Sequence, residues 1–270
     1  MQGLWRADNP RAYNWTQVIA TATRYDDMMR RAGGTLLFWA PSAAYNVWRS
    51  TDGGATWAGP ATLAQFGYDT TAVLLPSGRV VVAGDDRQFA RRAYAAYSDD
   101  FGATWTRSAQ IGPAIPEENC KILWHVGANL YAVVASAGGG AWTRYASGDG
   151  GATWAASGAV VPSWVALSPE SAETYRLPSG RIVTAFFNTT TTRDIHYSDD
   201  NGLSWTQVGG LPDCFQSLRR RGNVLFKIAY NLLATEIHYS VDGAAWALYA
   251  TLPLYGANAH GFAVADMLDE

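Results

Sequence analysis

Acidic side chains recur at a nearly fixed offset along this 270-residue chain. Asp69, Glu118 and Asp213 each lie nine residues before a turn glycine (Gly78, Gly127, Gly222). Asp26 lies eight before Gly34, and Glu170 and Glu173 lie ten and seven before Gly180. The connections between the repeats hold the aromatics Tyr68, Trp164, Phe215 and Tyr255, with Trp142 in a separate connection. Carboxylates accept hydroxyl hydrogen bonds, and aromatic faces offer apolar area and attract cations, so the combination suits a sugar or a cationic group. Two acids drawn from Asp26, Asp69, Glu118, Glu173 and Asp213 would also serve as a glycosidase pair if their carboxyls stood about 5–9 Å apart.

Other chemistries find less support. No G-x-S-x-G, H-E-x-x-H or Walker-type loop occurs. His196 and His238 share one slot in IHYS segments, where sister segments carry Trp48 or Ala96, and read as strand surface residues; His125 and His260 are isolated. Cys120 and Cys214 are too few for a disulfide framework and lack metal-ligand spacing, so free thiols, no metal and no cofactor are expected. With a net charge of -3, made with 18 Arg and two Lys, the chain has no general basic field for nucleic acid. No apolar run approaches the roughly 20 residues of a membrane helix, which argues against membrane insertion. MQGLWRADNP lacks the basic and apolar regions of an export signal, which predicts synthesis in the cytoplasm.

The elements that would position the acids are strands. Paired runs such as TTAVLLPSGRVVVAG and ETYRLPSGRIVTAFF read as hairpins about a glycine. A third strand follows (NVWRS, AYAAYS, TRYAS, DIHYS, EIHYS) and runs into an eight-residue motif, after which a fourth strand leaves. The motif occurs as STDGGATW, SDDFGATW, SGDGGATW and SDDNGLSW, and one residue short as SVDGAAW. Its Asp and Ser suit a turn that accepts backbone N–H bonds, its Gly suits positive φ, and its Trp suits packing between sheets. Trp57, Trp105, Trp154, Trp205 and Trp246 are 48, 49, 51 and 41 residues apart, a period that points to a β-propeller of four-stranded blades. LWRADNPRAYNWTQV echoes two strands of the repeat, with Trp15 lying 42 before Trp57, and GFAVADML could supply an inner strand. We therefore expect a single all-β domain over residues 1–270, six-bladed with the last blade split between the termini; five blades is the alternative.

S-x-D-x-G-x-[TS]-W resembles the Asp-box, or BNR repeat, of sialidase-like propellers, and its copies cover residues 50 to 246. The resemblance implies that the boxes lie at the periphery, on the face opposite a ligand, and that Asp52, Asp100, Asp149, Asp200 and Asp242 are structural. Ligands are then expected where the inner strands begin, with Asp85, Asp86, Arg87, Trp142, Arg144 and Arg193 reaching over from the connections between second and third strands. Sialidases clamp a carboxylate with three arginines and use a Tyr–Glu nucleophile pair and an Asp acid/base. Here Arg24 falls near the register of the first arginine, but its context is TRYDD, without the motif's proline. The acidic and basic pair expected in the first blade is replaced by Trp39, Ala40 and Pro41, and the loop PSAAYN has no Asp. YRLP at Tyr175 to Pro178 sits at a hairpin turn like its sister VLLP, and reads as turn chemistry.

The sequence thus predicts a non-catalytic recognition propeller that binds a glycan or protein partner through Tyr68, Asp69, Glu118, Trp142, Trp164, Glu170, Asp213, Phe215 and Tyr255. A sialidase-like glycoside hydrolase and a structural or assembly module are the alternatives. Synthesis without an export signal and glycan recognition would be reconciled in a bacteriophage virion, among other virion proteins.

Overall fold

Runs rich in Val, Ile, Ala and Tyr pleat so that alternate side chains enter a core, and the chain folds accordingly into strands separated by glycine turns. The computed structural model describes residues 3–9, 14–20, 27–30, 34–40, 45–63, 66–86, 92–113, 118–136, 142–160, 174–187, 193–209, 211, 216–231 and 234–253. Among these, five four-stranded antiparallel sheets follow one another in sequence. The first comprises β3 (Asp27–Arg30), β4 (Leu36–Ala40), β5 (Tyr45–Ser50) and β6 (Ala58–Leu63); the second comprises β7 (Phe66–Leu74), β8 (Val80–Asp86), β9 (Arg92–Ser98) and β10 (Thr106–Gln110). The third comprises β11 (Glu118–Val126), β12 (Asn129–Ser136), β13 (Trp142–Ser147) and β14 (Ala155–Val160). The fourth comprises β15 (Thr174–Arg176), β16 (Ile182–Phe187), β17 (Arg193–Ser198) and β18 (Thr206–Gln207). The fifth comprises β19 (Gln216–Arg221), β20 (Val224–Asn231), β21 (Ala234–Ser240) and β22 (Ala247–Pro253).

The protein is an all-β propeller with five blades among the described residues, which corrects the expectation of six. The N-terminal segment that echoes the repeat does form β1 (Gly3–Asn9) and β2 (Asn14–Ala20), but the described ladder pairs these two strands only with each other. The physical reason is simple: two strands sharing a turn satisfy one another's inner backbone groups, so the echo of half a repeat needs no further strands to form. GFAVADML, assigned to closing that blade, lies outside the described residues.

Every blade repeats one corner logic. The turn joining the first and second strands lies beside the turn joining the third and fourth, as Gly53 N–H donating to Gly34 C=O at 3.1 Å demonstrates for the first blade. First strands therefore begin at the other end. The sister turns LPSGR close identically, with Gly78 N–H on Leu75 C=O and Gly180 N–H on Leu177 C=O, so YRLP is hairpin chemistry.

Packing divides the chain into two compact units, Met1–Cys120 with His125–Leu130 and Ser147–Ala155, and Lys121–Trp124 with Tyr131–Ala146 and Ala156–Glu270. In the first, Leu37 and Val47 of one blade pack with Val80, Val82, Ala96 and Phe101 of the next, and Trp105 closes the cluster. In the second, Leu177, Val183, Ala185 and Ile195 pack with Leu218 and Leu225, and Trp246 closes it. The motif tryptophans Trp105 and Trp246 thus lie between successive sheets, where their large apolar area stabilises most.

Candidate functional site

The corner motifs gather carboxylates and hydroxyls, and their geometry assigns them to structure. In the first, Asp52 accepts the Thr56 N–H at 2.9 and 3.0 Å and the Thr56 hydroxyl at 2.6 Å, while the Ser50 hydroxyl donates to Asp52 at 2.8 Å. Gly54 N–H donates to Ser50 Oγ at 2.8 Å, and Trp57 Nε1–H donates to Gly54 C=O at 3.1 Å. Asp100 with Thr104, Asp149 with Thr153 and Asp200 with Ser204 repeat the carboxylate–hydroxyl bond. The indole bond recurs at Trp154, Trp205 and Trp246, whereas Trp105 Nε1 has no partner among the described residues. In the shortened corner the hydroxyl is missing, and Asp242 accepts only the Ala244 and Ala245 N–H groups and the Ser240 hydroxyl.

These bonds hold the carboxylates ionised. The Thr56 hydroxyl and N–H lower Asp52 to about 2, and Thr153 does the same to Asp149. At Asp100 partial burial pulls upward, but the Thr104 and Ser98 bonds outweigh it and leave the pKa at about 2. Asp200 is also lowered, its Ser204 bonds overcoming burial, and Asp242 is lowered by the Ala245 and Ala244 amides. A carboxylate that accepts several donors and titrates near 2 is a poor proton donor or base at neutral pH.

Among the described residues, arginines tie four of the five corners to the preceding blade. In the first unit, Arg49 Nε donates to Phe101 C=O at 2.9 Å, and Arg79 forks onto Asp99 at 2.6 and 2.9 Å while donating to Asp149 C=O at 3.0 Å. In the second, Arg181 forks onto Asp199 and donates to Asp242 C=O at 2.9 Å, and Arg144 donates to Asn201 C=O at 2.7 Å. Phe101 and Asn201 hold φ of 52° and 57°, and Gly202 and Gly243, at 84° and 76°, sit so close to Trp124 and Val183 that a side chain would collide. The shared LPSGR turns were the sequence signal for Arg79 and Arg181. Arg49 and Arg144 bond backbone carbonyls of the next repeat, so no partner residue type announces them.

Arg144 therefore does not reach over the opposite end as expected, because its guanidinium bonds Ser157 and the Asn201 carbonyl. Trp142 opens β13 and is only 7% exposed. His196 is buried at 1% exposure rather than on a strand surface, and burial alone lowers its pKa to about 3. Its slot faces inward, as the 3% exposure of Ala96 in the same slot agrees. His238 is buried too, with Nε2 2.9 Å from Glu236 Oε2.

At the ends away from the corners, two of the acids the offset singled out lie within described first strands. Tyr68 and Asp69 stand in the first half of β7, and Glu118 is the first residue of β11. β15 begins at Thr174, directly after Glu173, and β19 begins at Gln216, directly after Phe215. Arg24, Asp26, Trp164, Glu170, Glu173, Asp213, Phe215 and Tyr255 lie outside the described residues. Asp85 and Asp86 end β8 and Arg193 opens β17, also at this end, while Arg87 lies outside. Among the described residues no cluster of His, Cys, Asp or Glu could hold a metal, and no helix is long and apolar enough to cross a membrane.

The BNR repeat-like domain family matches residues 30–213, a span that contains four of the five corner motifs. The chain belongs to this family. No curated protein sequence matches it. Among solved structures, this BNR repeat-like chain is similar to a mutant of the Aleuria aurantia lectin in complex with alpha-methyl-L-fucoside, with a TM-score of 0.59, 14% identity and coverage of 91% of this chain and 84% of that one. It is similar to a mutant alpha-L-arabinofuranosidase from Fusarium graminearum in complex with an iminosugar inhibitor, with a TM-score of 0.58, 16% identity and coverage of 82% and 79%. A Hadza microbial sialidase matches with a TM-score of 0.51 and 17% identity over 82% of this chain, which spans 50% of that protein. Such likeness shows the β-propeller fold.

Proposed function

We propose that this BNR repeat-like propeller recognises a glycan at the strand ends opposite its corner motifs. The observation that carries the reading is a division of labour among carboxylates: the corner acids are saturated with donors, whereas at the other end Glu118 opens one first strand and Asp69 stands in the first half of another, with Tyr68 beside it. Acids and aromatics supplied by successive first strands suit hydroxyl recognition without any metal. That a fucoside-bound lectin and an inhibitor-bound arabinofuranosidase share the fold supports a sugar as the ligand.

Glycoside hydrolysis is the second reading, favoured by the arabinofuranosidase and sialidase likenesses and requiring two of Asp26, Asp69, Glu118, Glu173 and Asp213 within about 5–9 Å. A glycan array followed by mass spectrometry of the bound sugars separates the two. Intact bound glycans support recognition, cleaved glycans support hydrolysis, and silence across the array contradicts both. Assembly into a phage virion would bring a glycan-recognising propeller to a cell surface, and its test is mass spectrometry of purified particles, where the chain must be found.

A further inference from the structure

The arginine that opens the third strand of the second blade differs from the arginines that join blades. Arg49, Arg79, Arg144, Arg181 and Arg220 each donate Nε–H to a defined acceptor: the Phe101 carbonyl at 2.9 Å, Asp99 at 2.6 Å, the Ser157 hydroxyl at 3.0 Å, Asp199 at 2.7 Å and the Gly222 carbonyl at 2.6 Å. Arg92 Nε is enclosed by the protein and has no hydrogen-bond partner among the described residues. The residue as a whole is half-buried, so the side chain still meets solvent beyond that enclosed atom. A guanidinium N–H withdrawn from water without an acceptor costs free energy, and a cation held in this way is stabilised by an anion that reaches it.

Arg92 lies at the end of the blade away from the corner. It stands opposite Asp86, and Asp86 stands opposite Phe66, so one row crosses β9, β8 and β7 just before Tyr68 and Asp69. β9 is two strands from β7, about 10 Å at the usual strand spacing. Alternation puts Arg92, Tyr94 and Ala96 on one face, and the packing of Ala96 with Leu37 and Val47 turns that face toward the first blade. On the same face the Arg107 guanidinium lies 3.9 Å from the centroid of the Tyr94 ring. Two arginines thus border one tyrosine on the outer half of the blade whose first strand carries Tyr68 and Asp69.

We propose that Arg92 binds an anionic substituent, a carboxylate or a sulfate, on the glycan read by Tyr68 and Asp69; the proposal rests on the glycan reading above. A guanidinium offers paired N–H donors that match the oxygens of either group. Its half-buried setting strengthens the attraction, because less water screens the charge. Two strands of separation place the anion on a different part of the glycan from the hydroxyls that donate to Asp69. At about 10 Å the repulsion between that anion and Asp69 is largely screened by salt.

The test compares the full chain with Arg92→Gln and Arg92→Lys on a glycan array of matched pairs: oligogalacturonate beside its methyl ester, and sulfated beside desulfated galactan oligosaccharides. The expected result is tighter binding of the acidic member by the wild type, weakened about tenfold or more in Arg92→Gln and less in Arg92→Lys, with the neutral member unaffected. Which pair responds identifies the anion. The melting temperature of Arg92→Gln stays at or above the wild-type value, because an unpaired cation is removed. Equal binding of acidic and neutral members by the wild type, or equal weakening of both in Arg92→Gln, would overturn the inference and leave the glycan reading standing. Silence across the array would overturn the glycan reading. Free glucuronate or galactose 6-sulfate raising the melting temperature of the wild type but not of Arg92→Gln would then still support an anion site at Arg92, and no difference would overturn it. Equal destabilisation by Arg92→Gln and Asp86→Asn would make the two an ion pair of the fold and contradict the inference.

Discussion

The two ends of each blade use the same residue types for opposite purposes. At the corner end, Asp, Ser and Thr bond one another and the backbone in one pattern, repeated with a hydroxyl missing only in the fifth blade. At the other end, the acids Asp69 and Glu118 occupy the first halves of first strands whose neighbours in sequence differ from blade to blade. Repetition marks what the fold requires, since the same corner must be turned in every blade. Variation marks where a ligand can be read. Substitutions at the corner end should change stability and leave recognition alone, and substitutions at the other end should do the reverse.

The largest effect is expected from Gly243→Ala, which places a side chain against Val183 at a φ of 76°. Strain plus overpacking should cost about 2–4 kcal/mol, read as a lower urea midpoint with unchanged slope. Acid comes next. Asp52, Asp100 and Asp149 have folded pKa values of about 2 against 3.8 unfolded, so their stabilisation is present above about pH 4 and is lost as pH falls toward 2. His196 acts in the same direction but earlier. Its folded value of about 3 lies below the ordinary 6.5, so the unfolded chain takes up a proton first and stability falls as pH drops from 6.5 toward 3. The slope should approach about 1.4 kcal/mol per pH unit for this one group. Denaturation midpoints of wild type and His196→Gln compared across that range should converge as pH falls.

Asp100→Ala removes bonds from Thr104 and Ser98 at a corner open to solvent and should cost about 1 kcal/mol, seen as a small drop in melting temperature. Arg181→Ala should cost less than about 1 kcal/mol, because its partner Asp199 is exposed, and added salt should shrink the difference further. An Arg181→Ala effect as large as that of Gly243→Ala would mean that the arginine staples, not close packing, hold successive blades together.

The fold was legible in the sequence because each corner spells its own hydrogen bonds: Asp, Gly and Trp at fixed spacing have one economical arrangement. Blade number was less legible, since LWRADNPRAYNWTQV matches two strands of the repeat and a match of two strands is satisfied by a hairpin. His196 was misread because polarity suggested the surface, while the alanine in its sister slot recorded the burial. Arg144 was assigned to the wrong end because its partner is a backbone carbonyl, which has no signature in sequence. The offset from the turn glycine falls on the first residue of β11 at Glu118 and on the fourth residue of β7 at Asp69, because it tracks the length of a first strand.

The central claim is best tested by titrating the glycan selected on the array against wild type, Tyr68→Ala/Asp69→Asn and Asp100→Ala, with melting curves taken on the same samples. The account predicts that the Tyr68/Asp69 variant melts like the wild type and loses binding, while Asp100→Ala melts earlier and binds normally. Undiminished binding in the Tyr68/Asp69 variant, or loss of binding in a folded Asp100→Ala, would contradict it.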